Sequence, residues 1–375
     1  MEPITPPEIE RQLQEIQSLA DSTSPEIGIG SLTAEKRDTW HELRERLISL
    51  DRNNQRNLDL IETSLFALVL DENEPSTETE VCREAVVGDC RNRWFDKSVS
   101  ILVFKSGRLA TLCDHTPFDG VVEINSIILA LKYLEERGGE WKGSPEIKNH
   151  FKPQELVFKV DDVICRAVEQ AVQTYQQAAA TVNVMVYAMR EYDCIASLRP
   201  LTRQLRRGNF TMDGQKTVRS CTVEGTAWCK AMFDENTDNS TRLRLFREAC
   251  TKHNRLMKEA VDGQGIDRHL LGLQLIAASE GMPTPAIFTD KAWTASGGGA
   301  TFVLSTSCVG FSSILGGCAA MVKDGYGAFY SIEENKMNFV IATFTNSDVT
   351  DANKFQDALG ESFKDMRSLL LTSKL

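Results

Sequence analysis

Residues 98–114, SVSILVFKSGRLATLCD, constrain the fold more than any other stretch of this chain. Two apolar runs, 98–105 and 108–114, flank Ser106-Gly107, and runs joined by such a turn read as a β-hairpin. Helical patterns surround it. Ile9, Leu13, Ile16 and Leu19 recur at helical spacing over 8–20. SLTAEKRDTWHELRERLISL, residues 31–50, opens with a Ser or Thr cap before a second amphipathic helix. VVEINSIILALKYLEERGG, residues 121–139, predicts a helix closed by Gly138-Gly139.

The second half mixes the same two patterns. Residues 161–192 predict one long helix or two short ones, and a last helix starts near Thr350-Asp351. Strands are expected at 300–307, 327–333 and 337–344. Strands that come in pairs, without regular βαβ alternation, predict an α/β or α+β protein with mixed sheets. The turn-rich stretch 141–160 is the expected boundary between two domains, 1–155 and 156–375.

A chain of 375 residues has room for two cores. Its formal net charge of -11 argues against nucleic acid or an anionic membrane surface as the main partner. No apolar run approaches the length of a membrane span, and the start lacks the basic and apolar regions of a secretory signal. The ten cysteines include no C-x-x-C, so no metal site is expected, and reduced thiols in an intracellular compartment are. The final residues, Ser373-Lys374-Leu375, match the C-terminal address read by the peroxisomal import receptor, so import into peroxisomes is expected.

Several side chains could carry chemistry. His115 follows an expected strand end, where reactive groups are commonly displayed, and imidazole suits a general base near neutral pH. Asp119 could orient that ring, cap the next helix or pair with an arginine. Cys113 shares a strand face with residue 115, which raises a Cys/His nucleophile pair; a thiol in an apolar strand is more often inert core. In LSTSC, Ser305 and Ser307 share a face, so their hydroxyls could converge on an oxyanion or a carboxylate, or simply line a polar strand edge. Arg268 in GIDRHLLGL offers a bidentate fork for a carboxylate, or forms an Asp–Arg pair near a helix start.

Taken together, SLTAEKRDTWHELRERLISLD, NRWFDKSVSILVF, CDHTPFDGVV, ELVF, TVRSCTVE, IDRHLLGL, GGGATFVLSTS and DGYGAFY resemble the carnitine/choline acyltransferase family, nearest to its peroxisomal octanoyl-type branch. They run through the chain in the family order. The resemblance implies the CoA-dependent, chloramphenicol acetyltransferase-like fold, with two related mixed-sheet domains. It implies reversible acyl transfer between CoA and carnitine, acyl-CoA being a co-substrate and no cofactor being bound permanently. His115 then matches the catalytic base, and Asp119 the acidic member of the His-x-x-x-Asp signature. Ser307 matches the serine that stabilises the oxyanion, and Ser305 and Thr306 the rest of the Ser-Thr-Ser motif beside carnitine. Arg268 matches the arginine for the carnitine carboxylate, and Tyr192 a carnitine-contacting tyrosine. Gly316 falls where octanoyl-type members carry glycine and acetyl-specific members a bulky residue, which implies a medium-chain preference.

The chain also departs from the pattern. The family's long N-terminal portion is absent, which would leave the first domain incomplete. The lysines that grip the CoA phosphates have no clear counterpart within 178–217, where Arg203, Arg206 and Arg207 form a basic cluster and Thr211 stands for a turn threonine. A truncated, catalytically silent relative is the alternative expectation.

Overall fold

A computed structural model describes residues 4–22, 27–114, 116–118, 120–147, 151–189, 218–296, 298 and 302–372, without the side chains of residues 21, 22 and 268. The chain divides into two units, Met1–Thr181 and Val182–Leu375.

The first unit begins with α1 (Pro6–Ser22), a short 3-10 helix (Ile29–Ala34), α2 (Arg37–Leu50) and α3 (Arg52–Thr63). Ser31 and Thr33 do not cap α2, contrary to expectation. They are buried in the 3-10 turn, where Thr33 Oγ1 donates to Gly30 O and accepts from Phe95 N at 2.9 Å. Next come β1 (Ala67–Asp71), α4 (Glu78–Val87), β2 (Val99–Phe104), β3 (Leu109–Cys113), α5 (Gly120–Glu136) and α6 (Asp162–Thr181).

The hairpin forms as the sequence predicts, with β2 and β3 antiparallel and Val99 opposite Cys113. Gly107 takes the left-handed backbone of the turn, φ +78°. Strand β1 is added parallel to β2, so β2 is central in a mixed sheet. Helix α5 ends as expected, with Gly138 and Gly139 at positive φ and Gly139 N bonded to Leu134 O at 2.8 Å.

Helix α6 packs into this unit through Ile164, Val168, Ala171 and Val172, beside Leu32, Trp40, Leu47 and Leu58. The extended stretch before it is strapped to α3 by Asn54. That side chain donates to Leu47 O and Lys159 O and accepts from Lys159 N at 2.9 Å, replacing the pairing a strand would supply.

The second unit contains β4 (Val182–Met189), α7 (Val223–Phe233), α8 (Asn239–Val261), α9 (Ile266–Ser279), α10 (Ala286–Thr289), α11 (Lys291–Ala295), β5 (Leu304–Gly310), β6 (Tyr326–Ile332), β7 (Met337–Phe344) and α12 (Ala352–Thr372). The sheet order is β4-β7-β6-β5, with β5 parallel to β6 and the other pairs antiparallel. MNFVIATF forms β7, a central strand buried along nearly its whole length. Helix α12 covers one face, with Phe363 6.0 Å from Phe339 and Phe355 stacked on Tyr326 at 4.7 Å.

The described part of residues 161–192 is not one long helix or two short ones. It is α6 followed directly by β4. Val182, Val184 and Val186 explain the switch: β-branched residues alternating at every second position favour a strand beside a partner as apolar as β7.

Candidate active site

In the first unit, β3 ends at Cys113, two positions before the candidate base in sequence. Asp114 N bonds to Ser98 O at 3.1 Å, extending the β2–β3 ladder by one rung. The Asp114 carboxylate then accepts from Thr116 N at 2.9 Å and from Thr116 Oγ1 at 2.7 Å, closing a turn ahead of α5. His115 and Asp119 lie outside the described residues, as do Tyr192 and the terminal Ser373, Lys374 and Leu375, and Arg203, Arg206, Arg207 and Thr211.

Cys113 is placed, and its surroundings disfavour the thiolate. Burial pushes its thiol up to about 11, and the nearby Glu123 carboxylate adds to the rise. Glu123, in the first turn of α5, is itself held above the usual carboxylate range by burial. A thiol this hard to ionise is almost entirely protonated at neutral pH, and only the thiolate attacks carbonyl carbon.

In the second unit, Ser305, Thr306 and Ser307 occupy the first half of the edge strand β5, opposite Gly327, Ala328 and Phe329 of β6. Thr306 and Ser307 are exposed and Ser305 half-buried, so this stretch presents hydroxyls where Val309, further along, is core. Gly316 returns past the end of β5. A Cβ built there would meet Val309 Cγ1 at 2.9 Å, so the glycine lets the backbone pass close to that side chain.

Helix α9 starts at Ile266 after Gly265, which places Asp267 and Arg268 in its first turn. Asp267 is engaged by Arg219 rather than left to its sequence neighbour. Arg219 Nη2 lies 2.5 Å from Asp267 Oδ1, and Nε lies 3.2 and 3.4 Å from the two carboxylate oxygens. Sequence reasoning passed over Arg219. The available signal was its place in TVRSCTVE, one of the family-like strings.

Comparison with known proteins bears on these residues together. A family model described as choline/carnitine O-acyltransferase matches residues 1–195 and 215–361. The chain belongs to that family. Among individual relatives, peroxisomal carnitine O-octanoyltransferase of Bos taurus is 34% identical over 98% of this chain, and the Mus musculus protein is 34% identical over 99%. Choline O-acetyltransferase of Gallus gallus is 28% identical over 96% of this chain and 61% of its own length. The chain spans 65% of the length of the bovine relative and 66% of the murine one. The epimerization domain from the third module of tyrocidine synthetase B aligns over 82% of this chain and 80% of its own, at 11% identity and a TM-score of 0.33. Among the described residues of this family member, no helix is long and apolar enough to cross a membrane, and no group of three or more His, Cys, Asp or Glu side chains could hold a metal ion.

Proposed function

We propose that this acyltransferase-family chain moves a medium-chain acyl group reversibly between CoA and carnitine, in peroxisomes. His115 takes the proton of the carnitine hydroxyl, and the oxygen attacks the thioester carbonyl. Ser307 donates to the resulting oxyanion, as a preorganised hydroxyl does in other acyl transfers. Collapse breaks the carbon–sulfur bond, and the departing CoA thiolate recovers the proton from the imidazolium. Attack by the acceptor itself needs no acyl-enzyme and no resident cofactor. Asp119 supports the imidazole. Arg268, Ser305, Thr306 and Tyr192 hold carnitine, Arg268 through its carboxylate. Gly316 tunes the acyl length, and the import receptor reads Ser373-Lys374-Leu375.

The observation that carries this reading is the family match across nearly the whole chain, which includes both His115 and the Ser-Thr-Ser strand. The names of the octanoyltransferase relatives support the chain length and the compartment. The test supplies acetyl-, octanoyl- and palmitoyl-CoA in competition for limiting carnitine, and products are read by mass spectrometry. Octanoylcarnitine should dominate. No acylcarnitine from any donor would leave the silent-relative reading standing.

A further inference from the structure

The guanidinium of Arg219 joins three stretches of the second unit that are distant in sequence. Its Nη2 and Nε hold Asp267 in the first turn of α9. Its Nη1 donates to the carbonyl of Ser296, the residue that closes α11. Its Cζ lies over the Phe302 ring, 5.1 Å from the centroid, just upstream of β5. One planar group therefore links the turn that carries Arg268 to the segment that feeds Ser305 and Ser307 into the sheet.

We propose that Arg219 is a positioning residue: it sets the spacing between Arg268 and the β5 hydroxyls, and so fixes where an acceptor's carboxylate sits relative to its reacting hydroxyl. The inference rests on the carnitine reading and adds to it a residue that acts through others. The chemistry of the group favours this role. Arginine presents several N–H donors in one rigid plane and can hold a carboxylate, a carbonyl and a ring face together. A lysine ammonium is a point charge on a flexible stem and cannot span the three. Strength alone is a poor explanation, because the Arg219 and Asp267 side chains are 35% and 19% exposed. Partly solvated pairs contribute little to stability. What this one contributes is geometry, and small displacements of a substrate-holding group are costly to turnover.

The experiment compares wild type, Arg219→Lys, Arg219→Ala and Asp267→Asn in the full chain. It records carnitine and choline binding by calorimetry, KM for carnitine and for octanoyl-CoA, and melting temperature. Arg219→Lys and Arg219→Ala should each raise the carnitine Kd and KM by about tenfold or more. The octanoyl-CoA KM and the affinity for choline, which has no carboxylate, should not move. Asp267→Asn keeps an oxygen for the fork and should fall between wild type and Arg219→Lys. An Arg219→Lys protein with wild-type carnitine affinity overturns the proposal. So does an equal rise in both KM values, and so does an Arg219→Lys chain that fails to fold, which would mark the contact as a structural staple. A wild-type chain that does not bind carnitine overturns the carnitine reading and this inference with it. Carnitine binding that is equally tight in wild type and Arg219→Lys overturns the inference alone.

Discussion

Asp71 and Arg93 form the most enclosed ion pair among the described residues, at 2.7 Å with side chains 5% and 1% exposed. Arg93 also donates to Asn92 O and Glu84 O, so its fork ties the end of β1 to α4 and the loop before β2. Removing one partner strands a buried charge. Arg93→Leu should cost about 3–5 kcal/mol, seen as a lower urea midpoint at an unchanged slope. A loss near zero would mean that water reaches Asp71. Nothing in the sequence pointed to this pair, because its members lie 22 residues apart and charged residues ordinarily face solvent.

Cys113, pushed up to about 11 by burial and Glu123, should alkylate far more slowly at pH 8 than the exposed Cys221 and Cys229. Peptide mapping after a short iodoacetamide pulse checks this, and early labelling of Cys113 would revive the nucleophile pair. Gly316 has two possible reasons to be glycine, acyl length and its close approach to Val309. Gly316→Met should depress octanoyl turnover more than acetyl turnover. An equal loss, recovered in Gly316→Met/Val309→Ala, would assign the glycine to packing alone.

At the scale of elements, sequence patterns succeeded where local rules decide the structure. Ser106-Gly107 specified a turn and placed β2 against β3. Gly138-Gly139 stopped α5, and MNFVIATF became the central strand β7. The patterns misled where a distant partner decides. Thr33 resembles a helix cap, yet Phe95 N claims its hydroxyl. TVNVMVYAM continues a helical stretch in sequence, yet pairing with β7 makes it β4. In α1 the apolar stripe predicted the helix correctly, but Ile9, Ile16 and Leu19 are exposed while Glu8 is buried, accepting from Thr5 N and Thr5 Oγ1. Periodicity thus identified the helix without identifying the face it buries.

For the whole molecule, the charge of -11 and the mixed pattern of helices and paired strands were readable from the residues alone. The site was not. His115, Ser307 and Arg268 each carry a commonplace structural reading, and only the ordered set of strings from CDHTPFDG to DGYG joined them into one proposal. Arg219 escaped even that, because its role depends on three contacts made at separate points of the chain.

On the proposed mechanism, His115 deprotonates an acceptor that attacks acyl-CoA directly. Its most direct test follows thiol release from octanoyl-CoA with and without carnitine, for wild type and His115→Ala. Release is expected only when carnitine is present, lowered about 10²–10⁴-fold by the substitution. Carnitine-independent release, or a His115→Ala chain as active as wild type, would contradict it.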